Sequence, residues 1–230
     1  MAAPKVESKI YTAVVLDFET GGLNCVDCAC TQLAMQAVRL DNWVVLERYA
    51  RYIAPYRKLD IGGAPKRKVL KTRKALVQED AGISMKYEPV ALTYSAITMD
   101  MLYNQGVDLK EVAQDVIEFG KRNTLSKGQQ CKPILIGQNI TFDIGFLQQL
   151  IAYAGLMPEF EKVFAGKVDF YGNFQPHYVD TIDLGRFAFA HLPDVTSYKL
   201  EILSERLGIE LDDAHDAGAD VTATLNVAAV

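Results

Sequence analysis

Three groups of residues in this chain have the types and spacing for chemistry. The first is Asp17-Phe18-Glu19. In a strand, side chains two apart share a face, so both carboxylates point the same way. Held that close, like charges repel and raise each other's pKa, and a cation relieves the repulsion. A strand end opening into solvent would carry the same pair. The second group runs from Asn139 to Asp143, with Phe142 beside the carboxylate. Asp143 shares a helical side with Leu147 and Leu150, which puts it on or beside a buried face. An aspartate favoured by the positive end of a helix would look alike. The third group runs from His215 to Asp220. His215 stands ahead of a helix rich in small residues, and Asp220 lies one turn in. Asp212, Asp213 and Asp216 crowd this stretch, so a solvated acidic helix start also fits.

These groups need elements to position them. Residues 11–18 are apolar, β-branched and aromatic and read as a buried strand that ends at Thr20-Gly21-Gly22. Asp17 and Glu19 then sit at its carboxyl end, the edge where open α/β sheets keep their sites. Residues 31–40 and 43–53 read as two further strands, with Asp41-Asn42 between them as a hairpin turn. Residues 54–92 have no clear period and read as a long insertion or loop. Asp108 and Glu111 have capping-box spacing before Leu109, Val112, Ala113 and Val116. A short buried strand at 132–137 precedes a helix at 141–154, with Gly155 as its stop. A last strand follows at 177–181, then helical patterns at 181–191, 198–207 and 216–228. This order predicts an α/β fold, a mixed sheet with helices on both faces, in a single domain over 1–230.

Together the pieces are far more specific than apart. D-x-E ends the first strand, N-x-x-F-D opens a middle helix, and H-x-x-x-x-D opens the last. The set resembles the histidine branch of the DEDD superfamily of 3′–5′ exonucleases. This DnaQ-like group includes the proofreading subunit of bacterial replicative polymerase and ribonuclease T. The likeness runs from about Tyr11 to the C-terminus. It takes in Ala96-Ile97-Thr98, Val179-Asp180-Thr181 and Ser197-Tyr198-Lys199-Leu200. The tyrosine branch spaces its third motif as Y-x-x-x-D, which is absent at that place.

The resemblance implies a ribonuclease H-like mixed five-stranded sheet with helices on both faces. It implies that Asp17, Glu19, Asp143 and Asp220 hold two divalent ions and that His215 is the general base. Hard carboxylate oxygens suit Mg²⁺ or Mn²⁺ rather than zinc. Two such ions clamp the attacking and leaving oxygens of a phosphoryl displacement. The implied product is a nucleoside 5′-monophosphate released from the 3′ end of a single strand. Thr20, Gly21, Gly22 and Leu23 would line the terminal-nucleotide pocket, the two glycines admitting backbone amides and Leu23 wedging beside the last base. Phe142 would stack on a base, although plain core packing also explains it. Asn139 would hold the loop around Asp143 or contact the strand, and capping a turn is equally compatible.

Two stretches depart from the family pattern. Cys25, Cys28 and Cys30 cluster after the first motif. Their spacing invites a zinc reading, but Cys131 is distant and no histidine is close, so free thiols are expected. The other departure is 54–92. Between residues 55 and 75, Arg57, Lys58, Lys66, Arg67, Lys68, Lys71, Arg73 and Lys74 face only Asp60. This basic arm would grip phosphates upstream of the cut, or is a solvated loop.

Composition sets the outer limits. The net charge is −5, which excludes wholesale electrostatic binding of nucleic acid. With 50% apolar and 23% charged residues, 230 residues can bury a sizeable core. No apolar run reaches membrane-span length, and the first nine residues lack a signal-peptide core, so a cytoplasmic protein is expected. Gly21-Gly22 alone is no dinucleotide fingerprint. The leading expectation is a metal-dependent 3′–5′ exonuclease on single-stranded DNA, of proofreading or repair type, with a DNA polymerase as possible partner. The alternatives are a 3′–5′ exoribonuclease and a non-catalytic exonuclease-like binding module for a polymerase.

Overall fold

Strand β1, Thr12–Thr20, is the centre of the architecture and is almost wholly buried until Asp17. A computed structural model describes residues 9–59, 83–210 and 217–230. β1 pairs antiparallel with β2, Cys30–Arg39, and β2 pairs antiparallel with β3, Val45–Tyr52. On its other side β1 runs parallel to β4, Ile134–Gly137, which runs parallel to β7, Tyr178–Asp180. The five-stranded order is therefore β3-β2-β1-β4-β7. It is the mixed sheet expected for a ribonuclease H-like α/β fold.

Alternation along β1 divides the interior in two. Val14, Leu16 and Phe18 face a core shared with helix α3, Leu109–Arg122, and helix α4, Ile140–Ala154. Ala13 and Val15 face the opposite way, against Ala217, Val221 and Leu225 of helix α8, Ala217–Ala228. Helices thus cover both faces of the sheet. On α8 the small Ala217 and the larger Val221 and Leu225 together fill this layer. Asp108 caps α3 by accepting the Lys110 N–H at 2.9 Å. Gly155, at φ +75°, ends α4 in the left-handed conformation that suits glycine.

The expected boundaries shift where backbone geometry overrides pattern. The third strand starts at Val45 rather than Trp43, because Trp43 has φ +57° and belongs to the turn. Asn42 holds that turn by accepting the Val44 N–H through Oδ1 at 3.0 Å. The expected loop 54–92 ends in ordered chain. Lys86 N donates to Asp27 O, and Ala29 N donates to Lys86 O. Helix α1, Pro89–Tyr94, begins directly after, with proline in its first turn, where the missing N–H costs nothing. Helix α2, Met99–Gln105, follows Thr98, whose side chain accepts the Met101 N–H.

Past α4, helix α5, Met157–Val163, leads into a hairpin of β5, Gly166–Val168, and β6, Phe174–Pro176. The pattern of the sequence did not mark any of these three short elements. Helix α6, Thr181–Phe189, and helix α7, Leu200–Leu207, match the expected helical stretches. Among the described residues no helix is long and apolar enough to cross a membrane.

Candidate active site

β1 outruns its neighbour β4. The last paired residues are Val15 and Ile136, and β4 stops at Gly137. The Phe18 N–H therefore has no strand partner on that side. Asp143, in the first turn of α4, supplies one: its Oδ1 accepts the Phe18 N–H at 3.0 Å. This crevice lies at the carboxyl ends of two parallel strands, the usual site position in open α/β sheets.

Asp17 and Glu19 flank Phe18 and share the face that Ala13 and Val15 turn toward α8. Asp220 stands in the first turn of α8. Asp17, Glu19 and Asp220 each offer an oxygen, and these oxygens lie within 4.8 Å of one another. Asp143 lies behind them, 3% exposed. Burial, with the neighbouring Asp17 charge, pushes its carboxyl well above the usual range, and the Phe18 hydrogen bond only partly offsets this. So four carboxylates from three distant stretches of chain meet at one strand end. His215 lies outside the described residues.

The triad opens into a cleft of about 860 Å³. Thr20, Gly22, Leu23, Asn139 and Phe142 are among its lining residues. Leu23 is 85% exposed at its rim. Phe142 does two things: it faces the cleft, and its ring packs on Phe146 at 5.0 Å between centroids. Asn139 adopts the left-handed conformation at φ +54°, and its N–H donates to Asp180 Oδ1 at 3.1 Å. The same Asp180 oxygen accepts the Ile182 N–H at 2.9 Å, so one carboxylate ties the starts of α4 and α6. Thr181 donates to Gln138, which in turn donates to Tyr198 O. The Val179-Asp180-Thr181 motif thus holds the far wall.

The two glycines have separate duties. Gly21 N donates to Ala29 O at 2.8 Å, and Gly21 O accepts the Glu88 N–H at 2.7 Å. A Cβ there would meet Lys86 O at 2.5 Å. Gly21 therefore admits the 86–88 backbone, and its amide is already engaged. Gly22 lines the cleft at φ +154°. Thr20 donates its hydroxyl to Gly22 O at 2.9 Å.

Sequence reasoning missed several lining residues: Glu88, Val90 and Tyr94 around α1, and Glu201 at the start of α7. Tyr94 sits near enough to Glu201, Asp220 and Glu19 that their charges, after burial itself, raise its phenol pKa. Pro89 before an apolar turn was the available signal for α1. Lys199 and Leu200, in the motif ahead of α7, also reach the cleft. All four cysteines are free thiols. Cys30 is fully buried, and that burial pushes its thiol up to about 12. Among the described residues, Asp17, Glu19 and Asp220 are the one group of three or more such side chains whose ligand atoms lie within 4.8 Å of one another.

A family model described as Exonuclease matches residues 74–228. The chain belongs to the exonuclease family. It is 28% identical over 213 residues to the PolC-type DNA polymerase III of Bacillus subtilis (strain 168), and 25% identical to that of Oceanobacillus iheyensis. Each alignment covers 93% of this chain but only 11% of the polymerase. In fold, the chain matches E. coli exonuclease I in complex with a dT13 oligonucleotide, with TM-score 0.64 and 20% identity. That match covers 95% of this chain and 40% of the other. A zinc-bound form of the E. coli exonuclease I–ssDNA complex matches equally, with TM-score 0.64. These likenesses place the chain among the DnaQ-like DEDD 3′–5′ exonucleases. Exonucleases of this family work with divalent metal ions, and three converging carboxylates are a donor set that fits a hard divalent cation.

Proposed function

We propose that residues 1–230 form one exonuclease domain that removes nucleoside 5′-monophosphates from the 3′ end of single-stranded DNA. The observation that carries this reading is the convergence of Asp17, Glu19 and Asp220 within 4.8 Å, at the mouth of a nucleotide-sized cleft. In this reading Asp17, Glu19, Asp143 and Asp220 hold two ions, Mg²⁺ or Mn²⁺. The bound ions would supply charge neutralisation at the scissile phosphate and a more acidic water.

The chain's own residues do the rest. Phe142 and Leu23 flank the terminal base, a contact that tolerates any sequence because every base has a stacking face. Asn139, fixed by Asp180, presents its exposed side chain to the strand. Gly22 keeps the cleft wall close to Cys28 and Glu88, where any side chain would clash. His215 accepts the proton of the attacking water, a role suited to an imidazole neutral near physiological pH. The polymerase relatives support a proofreading setting, with a DNA polymerase as partner.

The test is a time course on matched single-stranded DNA, single-stranded RNA and mismatched duplex ends, with Mg²⁺ or Mn²⁺ and with chelator. Asp17→Asn should lower turnover by about a hundredfold or more, since even groups that merely support metal ligands commonly cost 10–100-fold. Its fold should stay intact. Turnover that survives chelator, or that is unchanged in Asp17→Asn, would reject the metal-dependent mechanism.

A further inference from the structure

We propose that the end of the sheet opposite the cleft carries a second contact surface for the same single strand. This inference rests on the exonuclease reading and extends its footprint. Two neighbouring features carry it. A concavity of about 670 Å³ is lined by Lys121, Lys127, Lys132 and Lys162, with no carboxylate in its lining. Lys121 pairs with Glu118 at 2.8 Å, and Lys127, Lys132 and Lys162 keep this lining positive in a chain of net charge −5. Beside it, the β5–β6 hairpin displays Phe170, 96% exposed, and Tyr171, 84% exposed.

The aromatic tip is held in place. Asp169 Oδ1 accepts the Tyr171 and Asn173 N–H groups, both at 2.9 Å, and these bonds hold its carboxyl below the ordinary range. The two rings meet edge to face at 5.5 Å. Helix α5 joins the features: Lys162 is in its last turn, and its Phe160 packs edge-on against Phe174 of the hairpin at 5.5 Å. Cations that track phosphates, next to exposed rings that stack bases, are what a sequence-tolerant single-strand site requires. Charge complementarity selects an anionic occupant, and the rings select one with flat apolar faces. A strand held in the cleft by its 3′ end meets this surface with nucleotides farther upstream, so only longer strands benefit.

The experiment compares binding of a dinucleotide and a strand of about 20 nucleotides, long enough to span both surfaces, under chelator. It uses wild type, a Phe170→Ala/Tyr171→Ala variant and a Lys127→Gln/Lys162→Gln variant. The expected result is tighter binding of the long strand by wild type. The aromatic variant should lose roughly tenfold of that affinity, the scale of one stacked base. The lysine variant should lower the log–log salt slope by about 0.7 per phosphate contact. Dinucleotide binding should stay as in wild type. Equal affinity for long and short strands, or long-strand affinity unchanged in both variants, overturns the inference. So does a polyglutamate peptide whose binding drops in the variants while strand binding does not. Failure of wild type to hydrolyse either strand with metal restored would count against the exonuclease reading, whereas the binding comparison decides this surface.

Discussion

Asp143 and Phe18 are 125 residues apart in sequence, yet the carboxylate of one accepts the backbone N–H of the other at 3.0 Å. The bond caps β1 where β4 ends, so the aspartate is a structural partner of the strand as well as a neighbour of Asp17 and Glu19. Its carboxyl is raised by burial first and by Asp17 second. A carboxyl raised in the folded state favours folding at pH values below its unfolded pKa. That contribution is lost as pH rises through the raised folded value. Without metal, the protein should therefore lose thermal stability from acidic to neutral pH, and Asp143→Asn should flatten this dependence. Melting curves in chelator across that range would show it. A wild-type curve that rises toward neutral pH in the same way as that of the variant would contradict the sign.

Gly22 makes a sharper structural prediction. A Cβ at this position would stand 2.6 Å from Cys28 Sγ and 2.9 Å from Glu88 Cδ, at a φ of +154°. Gly22→Ala should destabilise the fold by about 1–3 kcal/mol, combining backbone strain and overpacking. Denaturant titration measures this directly. If stability is unchanged, the loop after β1 can move aside and does not pin the cleft wall.

His215 is the member of the proposed set that tests the histidine branch. His215→Ala should cost roughly 10²–10⁴-fold in turnover, the usual scale for a positioned base. Metal affinity should be retained, because the four carboxylates are untouched. The pH–rate profile should lose the acidic limb that imidazole protonation produces. Wild-type turnover with that limb preserved would place the base elsewhere.

The basic arm offers an independent measurement. Lys66, Arg67, Lys68, Lys71, Arg73 and Lys74 lie outside the described residues, but the arm's base is anchored: Lys58 Nζ pairs with Asp27 Oδ1 at 2.6 Å. If the arm grips the strand, neutralising its cations should weaken binding of all sequences alike. The log–log salt slope should fall by about 0.7 per lost phosphate contact. An unaltered slope would make it a solvated loop.

Much of the architecture was legible because its strands and helices are long and strongly periodic. β1 follows from a continuous apolar, β-branched run, α3 from its capping spacing, and α4 from its apolar face and terminal glycine. The D-x-E pair was legible for the same reason, since a period of two needs no tertiary knowledge. The β5–β6 hairpin was not, because strands of three residues are too short to show a period. Glu88, Tyr94 and Glu201 were equally hidden. Each reaches the cleft through contacts between distant elements, such as Glu88 N to Gly21 O, that no local pattern records. Gly21 was misjudged for a related reason: its sequence shows that a backbone comes close, but not which one.

The placement of Asp220 on α8 has a further consequence. Asp17 and Glu19 are built into the central strand, whereas Asp220 belongs to a helix held against the sheet by Ala217, Val221 and Leu225. This seam is a cluster separate from the larger core on the other face of the sheet, so α8 can open locally without the strands parting. When it does, the carboxylate triad is taken apart while the strands remain paired. The fraction of molecules competent at any instant is then set by the local opening of one helix. Global stability can stay constant while that fraction changes.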